Sequence, residues 1–336
     1  MIMKNGQANS VIAVKDLKKW FPLKRGFLSS ILGKEEQKYL KAVDGVTFQV
    51  EPGEVLGLAG ESGCGKTTTG MTVIKLYQPT SGGIFFENQE IAAIQGRKNL
   101  RTFRKNAQIV FQNPFESLNP RYTVLQSVEE PIRIHYPDLS DERHAMILRA
   151  LERAGLVPPR YFLDRYPHEL SGGQLQRVAI ARAIAIEPRF LVADEPVSML
   201  DVSIRAGILN LLKYFSKEFK MGILYISHDL STMKHICTSI GIMYLGRIVE
   251  MGDAQVVLTN PSHPYTQALV AAVPLMGGRF LRKRILLEGA VPNPIDLPPG
   301  CRFHPRCPKA EKGCREQEPE LALQGDGRQV ACYLFH

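Results

Sequence analysis

Eight consecutive residues carry the strongest chemical signal in the chain: Gly60-Glu61-Ser62-Gly63-Cys64-Gly65-Lys66-Thr67. They fit G-x-x-x-x-G-K-S/T, a loop that wraps nucleotide phosphates. Its glycines let successive backbone N–H groups turn inward, and a helix N-terminus behind them adds roughly half a positive charge. Lys66 would reach the β- and γ-phosphates, and the Thr67 hydroxyl would ligate Mg²⁺. The flanks agree. Glu54 to Ala59 is a short apolar run that predicts a buried strand, and Lys66 to Leu76 predicts a helix that stops before Pro79.

Three later strand ends carry polar residues of the right kind. Phe190-Leu191-Val192-Ala193 predicts a second buried strand running into Asp194-Glu195. Asp194 suits Mg²⁺, directly or through water. Glu195 is placed to polarise an attacking water as a general base. Gly222 to Ser227 predicts a third buried strand that ends at His228, placed to contact a γ-phosphate. Ile109-Val110-Phe111 ends at Gln112, which could ligate Mg²⁺ or position water, because parallel strands open their carboxyl ends onto the nucleotide crevice. A further signal is Leu170-Ser171-Gly172-Gly173-Gln174. Ser171 predicts an N-cap, and the two glycines bare the helix-start N–H groups as a second anion site. Two such sites serve one nucleotide only by folding together or by each facing another copy in a dimer.

Four cysteines crowd the tail as Cys301-x5-Cys307-x6-Cys314-x17-Cys332. Disulfides are disfavoured in a cytosolic chain, so a metal is the better reading. The spacing is not C-x2-C, which argues against a common zinc ribbon. Four thiolates suit either Zn²⁺ or an iron–sulfur cluster. Cys64 and Cys237 read as lone structural thiols.

The elements that must position these groups can be sketched. The 336 residues suggest about two domains, and 44% apolar content supports a real core. No apolar run approaches the roughly 18–20 residues of a membrane span, and the polar N-terminus lacks a signal-peptide core, so a cytosolic protein is expected. The net charge of +9 is concentrated early, at Lys15, Lys18, Lys19, Lys24, Arg25, Lys34, Lys38 and Lys41. No nucleic-acid motif accompanies it, which favours a solvated basic surface facing lipid headgroups or a membrane partner. Val11–Val14 and Tyr39–Val50 read as strands, the latter with Asp44-Gly45 as a turn, separated by a loop insertion at 22–38. An aromatic upstream of a phosphate loop can stack on adenine; Phe21 is the first choice and Tyr39 the second. A turn, a short strand at Ile84-Phe85-Phe86 and a basic helix follow. Residues 113–170 predict a mostly helical subdomain, with helices at Val124–Ile132 and Ser140–Ala154, the latter capped by Ser140. Ser198–Asp201 begins another helix, Ile240–Glu250 forms two strands around Gly246, and a Pro-rich tail begins at Asn260.

In this order and spacing the segments resemble the ATP-binding-cassette (ABC) ATPases. Gly60–Thr67 is similar to that family's Walker A, Gln112 to its Q-loop, and Leu170–Gln174 to its LSGGQ signature. Phe190–Glu195 is similar to Walker B with the catalytic Glu, Ser198–Asp201 to the D-loop, and His228 to the H-switch. Lys41–Val46, Phe111-Gln112-Asn113-Pro114, Asn260-Pro261-x-His263-Pro264-Tyr265-Thr266 and Pro298-Pro299-Gly300-Cys301-x-Phe303 resemble the oligopeptide/dipeptide importer branch. Thr67 stands where Ser is common and Met199 where Ala is common; neither removes a chemical group.

The resemblance implies an α/β phosphate-loop NTPase of the ABC type. It has a RecA-like parallel core, an antiparallel β subdomain and a helical subdomain at about 113–170. The cassette would span 1–259 and a Cys-rich extension 260–336. It implies ATP hydrolysis to ADP and phosphate that drives import of di- or oligopeptides. The same engine could import oligosaccharides or metal chelates. A soluble ABC ATPase acting on nucleic acid is the remote alternative, disfavoured by the single cassette. ATP would be held by Gly60, Glu61, Ser62, Gly63, Cys64, Gly65, Lys66, Thr67, Thr68, Gln112 and Asp194, and Mg²⁺ by Thr67, Gln112 and Asp194. Glu195, His228 and Gln112 would be catalytic. Ser171, Gly172, Gly173, Gln174 and Asp201 would act in trans. Cys301, Cys307, Cys314 and Cys332 match cysteines that carry a 4Fe–4S cluster in related importer ATPases, with Zn²⁺ as the alternative. The implied partners are a second homologous ATPase in a heterodimer, two membrane permease subunits and an external solute-binding protein, with no nucleic acid. The helical segment and Gln112 would grip the permeases from the cytoplasmic face of the membrane.

Overall fold

The computed structural model describes residues 10–23, 37–92, 94, 96–273, 285, 287 and 289–335. Most of the expected loop insertion at 22–38 lies outside the described residues. In chain order the strands are β1 (Ile12–Pro22), β2 (Tyr39–Val50), β3 (Val55–Ala59), β4 (Ser81–Phe86), β5 (Gln89–Glu90), β6 (Ala107–Val110), β7 (Phe190–Asp194), β8 (Gly222–Ser227), β9 (Ser239–Tyr244), β10 (Arg247–Asp253), β11 (Ala322–Leu323) and β12 (Gln329–Val330). The helices are α1 (Lys66–Val73), α2 (Arg97–Asn106), α3 (Pro114–Ser117), α4 (Val124–His135), α5 (Arg143–Arg153), α6 (Gly172–Ile184), α7 (Val202–Glu218), α8 (Leu230–Ile236), α9 (Ala254–Thr259), α10 (Pro264–Ala272) and α11 (Lys312–Glu316).

Strands β3, β7 and β8 are buried at every residue. Burial on both faces is what a parallel sheet between helices demands, and it explains why these segments read as unbroken apolar runs rather than alternating ones. They sit in a mixed sheet of order β11-β12-β10-β9-β3-β8-β7-β6, in which β9, β3, β8, β7 and β6 run parallel. An antiparallel sheet of order β2-β1-β4-β5 packs beside it, as the expected β subdomain. Residues 113–184 supply the helical layer. Thr123 and Gln126 cap α4 reciprocally, and Val128, Ile132, Ile147, Leu151, Leu175 and Val178 join one apolar cluster. Among the described residues no helix is long and apolar enough to cross a membrane.

Four local expectations change. Strand β1 runs on to Pro22 instead of ending at Val14. Helix α1 ends at Val73 rather than Leu76, because Lys75 takes a left-handed φ of 56° and its ammonium donates to the Ala92 and Ile94 carbonyls at 2.7 and 3.2 Å. Helix α5 starts at Arg143, so Ser140 is not its cap; the Ser140 hydroxyl instead bonds the Asp141 carboxylate at 3.0 Å. Asp44-Gly45 is not a turn. Strand β2 passes straight through it, with Gly45 at φ 95° where the β1–β2 register shifts, a bulge in place of a reversal.

The chain beyond Asn260 continues into the same sheet. Strand β12 pairs with β10, Glu250 opposite Val330. The Glu250 carboxylate is fully buried and accepts the N–H groups of Ser262 and His263 at 2.9 Å each, with Arg328 at 3.4 Å. A second buried pair joins the tail to β2, where Arg302 bonds the carboxylate of Asp44 and the carbonyl of Leu245. Trp20 Nε1 donates to the same carboxylate at 2.9 Å. Burial alone would raise the Asp44 pKa, but Arg302 and Trp20 hold it below the usual carboxylate range.

Removing one partner of a buried pair strands the other charge. Arg302→Ala is therefore expected to cost about 3–5 kcal/mol in urea unfolding. Lys38→Ala, which breaks an exposed pair with Asp296, is expected to cost less than about 1 kcal/mol. Equal losses for the two variants would contradict this ranking.

Candidate active site

The phosphate-type loop springs from β3, the strand between β9 and β8. It can close only with glycine at its base. Gly65 has φ 106°, and a Cβ there would sit 2.0 Å from the Ala42 carbonyl oxygen. Lys66 is buried and its ammonium donates to the carbonyls of Gly60 and Glu61 at 2.8 and 3.0 Å. The loop borders a cavity of about 560 Å³ whose walls include Ser62, Gly63, Gly65, Lys66, Thr67 and Thr68. Gln112, Glu195 and His228 close the cavity from the other strand ends.

Strand pairing explains how residues so far apart in sequence meet. Val110 pairs with Ala193, and Asp194 with Ile226, so the ends of β6, β7 and β8 lie side by side. The Thr67 hydroxyl donates to the Asp194 carboxylate at 3.0 Å. Burial pushes the Asp194 carboxyl up to about 6, and the neighbouring Glu195 charge adds to the rise against the Thr67 bond and Lys66. Glu195 has a left-handed φ of 46°, a conformation that costs on the order of 1–3 kcal/mol outside glycine. Its N–H donates to the Ile226 carbonyl at 2.9 Å. Its carboxylate accepts from Gln112 Nε2 at 3.0 Å and bonds His228 Nδ1 at 2.8 Å. With Glu195 ionised, the His228 Nδ1 must carry a proton to donate to it. The result is an oriented carboxylate lining a cavity of nucleotide scale, beside a hydroxyl–carboxylate pair of the type that holds a divalent cation.

The remaining predicted residues fall in three places. Phe21 lines the cavity, whereas Tyr39 is not among its wall residues and packs its ring 6.1 Å from that of Trp20. Ser171 caps α6 through a reciprocal box with Gln174, at 3.3 and 3.0 Å. Gly173 is pressed on α7, where an added Cβ would meet Ile204 at 2.7 Å. Neither this helix start nor Asp201, the N-cap of α7, lines the cavity. Cys64 and Cys237 are thiols whose pKa burial raises, and Cys237 packs behind Gly57. Lys41, Ala42, Leu245, Gly246 and Pro294 also wall the cavity. No local sequence signal marked them for this role, since they come from strand edges and the tail.

Cys301, Cys307, Cys314 and Cys332 line one small void, together with His263 and His304. The Cys301 N–H donates to the Cys314 carbonyl at 2.8 Å. Burial pushes the Cys301 thiol up to about 11, with the other three cysteines adding to the rise; Cys307 and Cys332 are raised the same way. Among the described residues, no three His, Cys, Asp or Glu side chains form a group ready to hold a metal ion.

Residues 43–198 match the family described as ABC transporter, and residues 249–314 match the oligopeptide/dipeptide transporter C-terminal region. The chain is similar to the oligopeptide transport ATP-binding protein AppF of Bacillus subtilis (strain 168), 45% identical over 99% of this chain and 100% of that protein. It is equally similar to the dipeptide transport ATP-binding protein DppF of Haemophilus influenzae, 45% identical over 94% of each. Among solved structures it resembles the dimeric post-hydrolysis state of the cassette MJ0796 bound to ADP and Pi. The TM-score is 0.62 at 29% identity, covering 72% of this chain and 98% of that one.

The Asp194 shift predicts a pH effect that needs no nucleotide. A carboxyl whose folded pKa lies above its unfolded value of 3.8 stabilises the fold below that value. The contribution is lost as pH rises through about 6. Asp194→Asn should abolish that loss, leaving the nucleotide-free variant more stable than wild type at pH 7.5 by roughly 3 kcal/mol. Melting curves at pH 5 and 7.5 check it; a variant less stable at both contradicts it.

Proposed function

The chain belongs to the ABC transporter ATP-binding family, in its oligopeptide/dipeptide branch, and from that premise we propose how its residues divide the work of ATP-driven peptide import. The observation that carries the reading is Glu195, held between Gln112 and His228 at the edge of the phosphate cavity. Lys66 leaves the Gly60 and Glu61 carbonyls for the β- and γ-phosphates. Thr67 and Asp194, with Gln112, would hold Mg²⁺, which when bound would neutralise the phosphate oxygens. Glu195 orients water and accepts its proton, and His228 and Gln112 keep its carboxylate aimed. Phe21 stacks on adenine.

Ser171, Gly172, Gly173, Gln174 and Asp201 serve the cavity of a second cassette. Their place away from this chain's own cavity supports that reading, as does the dimeric state of the similar solved cassette. The partners are a homologous ATPase, two permease subunits gripped by residues 113–170, and an external solute-binding protein. This places the chain peripherally on the cytoplasmic face of the membrane. The relatives' names support di- or oligopeptides as the cargo.

Cys301, Cys307, Cys314 and Cys332 would hold a 4Fe–4S cluster. The four cysteines border one small void, and four thiolates suit either such a cluster or Zn²⁺; the resemblance to importer ATPases favours the cluster. Bound, it ties the tail's turns together.

Glu195→Gln is expected to bind ATP normally and to lower turnover by about 10²–10⁴-fold, accumulating a cassette dimer with ATP on gel filtration. Wild-type hydrolysis by this variant would remove Glu195 from the role. Anaerobically purified chain should be brown and carry about four iron atoms; colourless protein with one zinc would contradict the cluster.

A further inference from the structure

We propose that Tyr265 and Arg306, both beyond the cassette, are positioning residues for the phosphate loop and act through Glu61. Glu61 is the second residue of that loop, and each of its polar groups is held. Its N–H donates to the Tyr265 hydroxyl at 2.9 Å. Its carbonyl accepts from Lys66 at 3.0 Å. Its carboxylate takes both terminal nitrogens of Arg306, at 2.9 and 3.2 Å, a fork-on-fork pairing that fixes direction as well as distance. Two of the three anchors come from residues 204 and 245 positions away in the chain.

Both anchors are rigidly mounted. Tyr265 is fully buried in α10, its ring 4.6 Å from Tyr244 and 5.4 Å from Phe303. Arg306 is nine-tenths buried and its guanidinium lies 6.0 Å from the Tyr244 ring. Arg306 directly precedes Cys307, and Arg302, which holds Asp44, directly follows Cys301. The turn carrying two of the four cysteines therefore carries two guanidinium contacts to the cassette.

The electrostatic reason for the clamp is the anionic ligand. Glu61 puts a carboxylate on a loop that must receive a triphosphate, and uncompensated it would repel that charge. Arg306 neutralises it and turns it out of the nucleotide cavity, whose wall residues do not include Glu61. The tail is thus part of the nucleotide site without touching nucleotide. The inference rests on the loop binding ATP.

The test is ATP affinity by calorimetry on the full chain, with KM and kcat measured alongside. Arg306→Gln should weaken ATP about 10-fold, mostly in KM. Adding Glu61→Gln to Arg306→Gln should restore most of the lost affinity, because the charge needing neutralisation is gone. A residue that merely stabilises the tail would lower the melting temperature without this suppression. Arg306→Gln with wild-type affinity, or a loss that Glu61→Gln does not relieve, overturns the proposal. If Arg306→Gln does not fold, Tyr265→Phe carries the test: affinity weakened about 3–10-fold supports the clamp and unchanged affinity contradicts it. Wild-type chain that binds no ATP would overturn the underlying reading, and the clamp with it.

Discussion

Hydrogen bonding between parallel strands fixes the geometry on which the chemistry depends. Neighbouring strands lie about 4.8 Å apart, so polar residues just past the ends of β3, β6, β7 and β8 share one edge. Ser62, Gly63, Gly65, Lys66, Thr67, Gln112, Glu195 and His228 come from four stretches of chain and still border one space, and Asp194 is bonded to Thr67. The apolar runs that make these strands are thus also the positioning device. A lost methyl in β7 would act on Asp194 through strand placement before it acted on any contact with ligand.

The same edge carries strain that the core must offset. Glu195 takes a left-handed backbone, and burial raises the Asp194 carboxyl to about 6. Neither choice favours stability; both suit a site that meets a cation and polyphosphate. Local rules tend to fail where function needs a group held out of its preferred state. The tail meets the cassette through the opposite kind of interaction, paired and largely buried charges. Arg302 with Asp44, Arg328 with Glu250 and Arg306 with Glu61 each satisfy a carboxylate that would otherwise be costly.

Much of the site was legible because its signals are local. Continuous apolar runs mark buried strands, and the glycine loop, the Leu170–Gln174 segment and Asp194-Glu195 follow directly from them. What escaped was held by distant partners. Asp44-Gly45 has the composition of a turn, yet Asp44 is claimed by Trp20 and by Arg302, 258 residues away, and the strand runs through. Strand β12 is two residues long, too short to show any periodicity, so the tail's entry into the main sheet left no pattern. Tyr265 stood out as part of a motif, but nothing in the motif says that its hydroxyl meets the phosphate loop. Ser140 looks like a cap by composition and loses to a bond with its own neighbour.

A structure of the full chain with Mg²⁺ and a non-hydrolysable ATP analogue tests the central claim most directly. The account predicts that Lys66 exchanges the Gly60 and Glu61 carbonyls for phosphate, that Thr67 and Asp194 turn to the cation, and that Glu195 faces the γ-phosphate. Ser171–Gln174 of a second cassette should close the other side. Nucleotide bound elsewhere, or Lys66 still on its own loop carbonyls with the phosphates present, would contradict it.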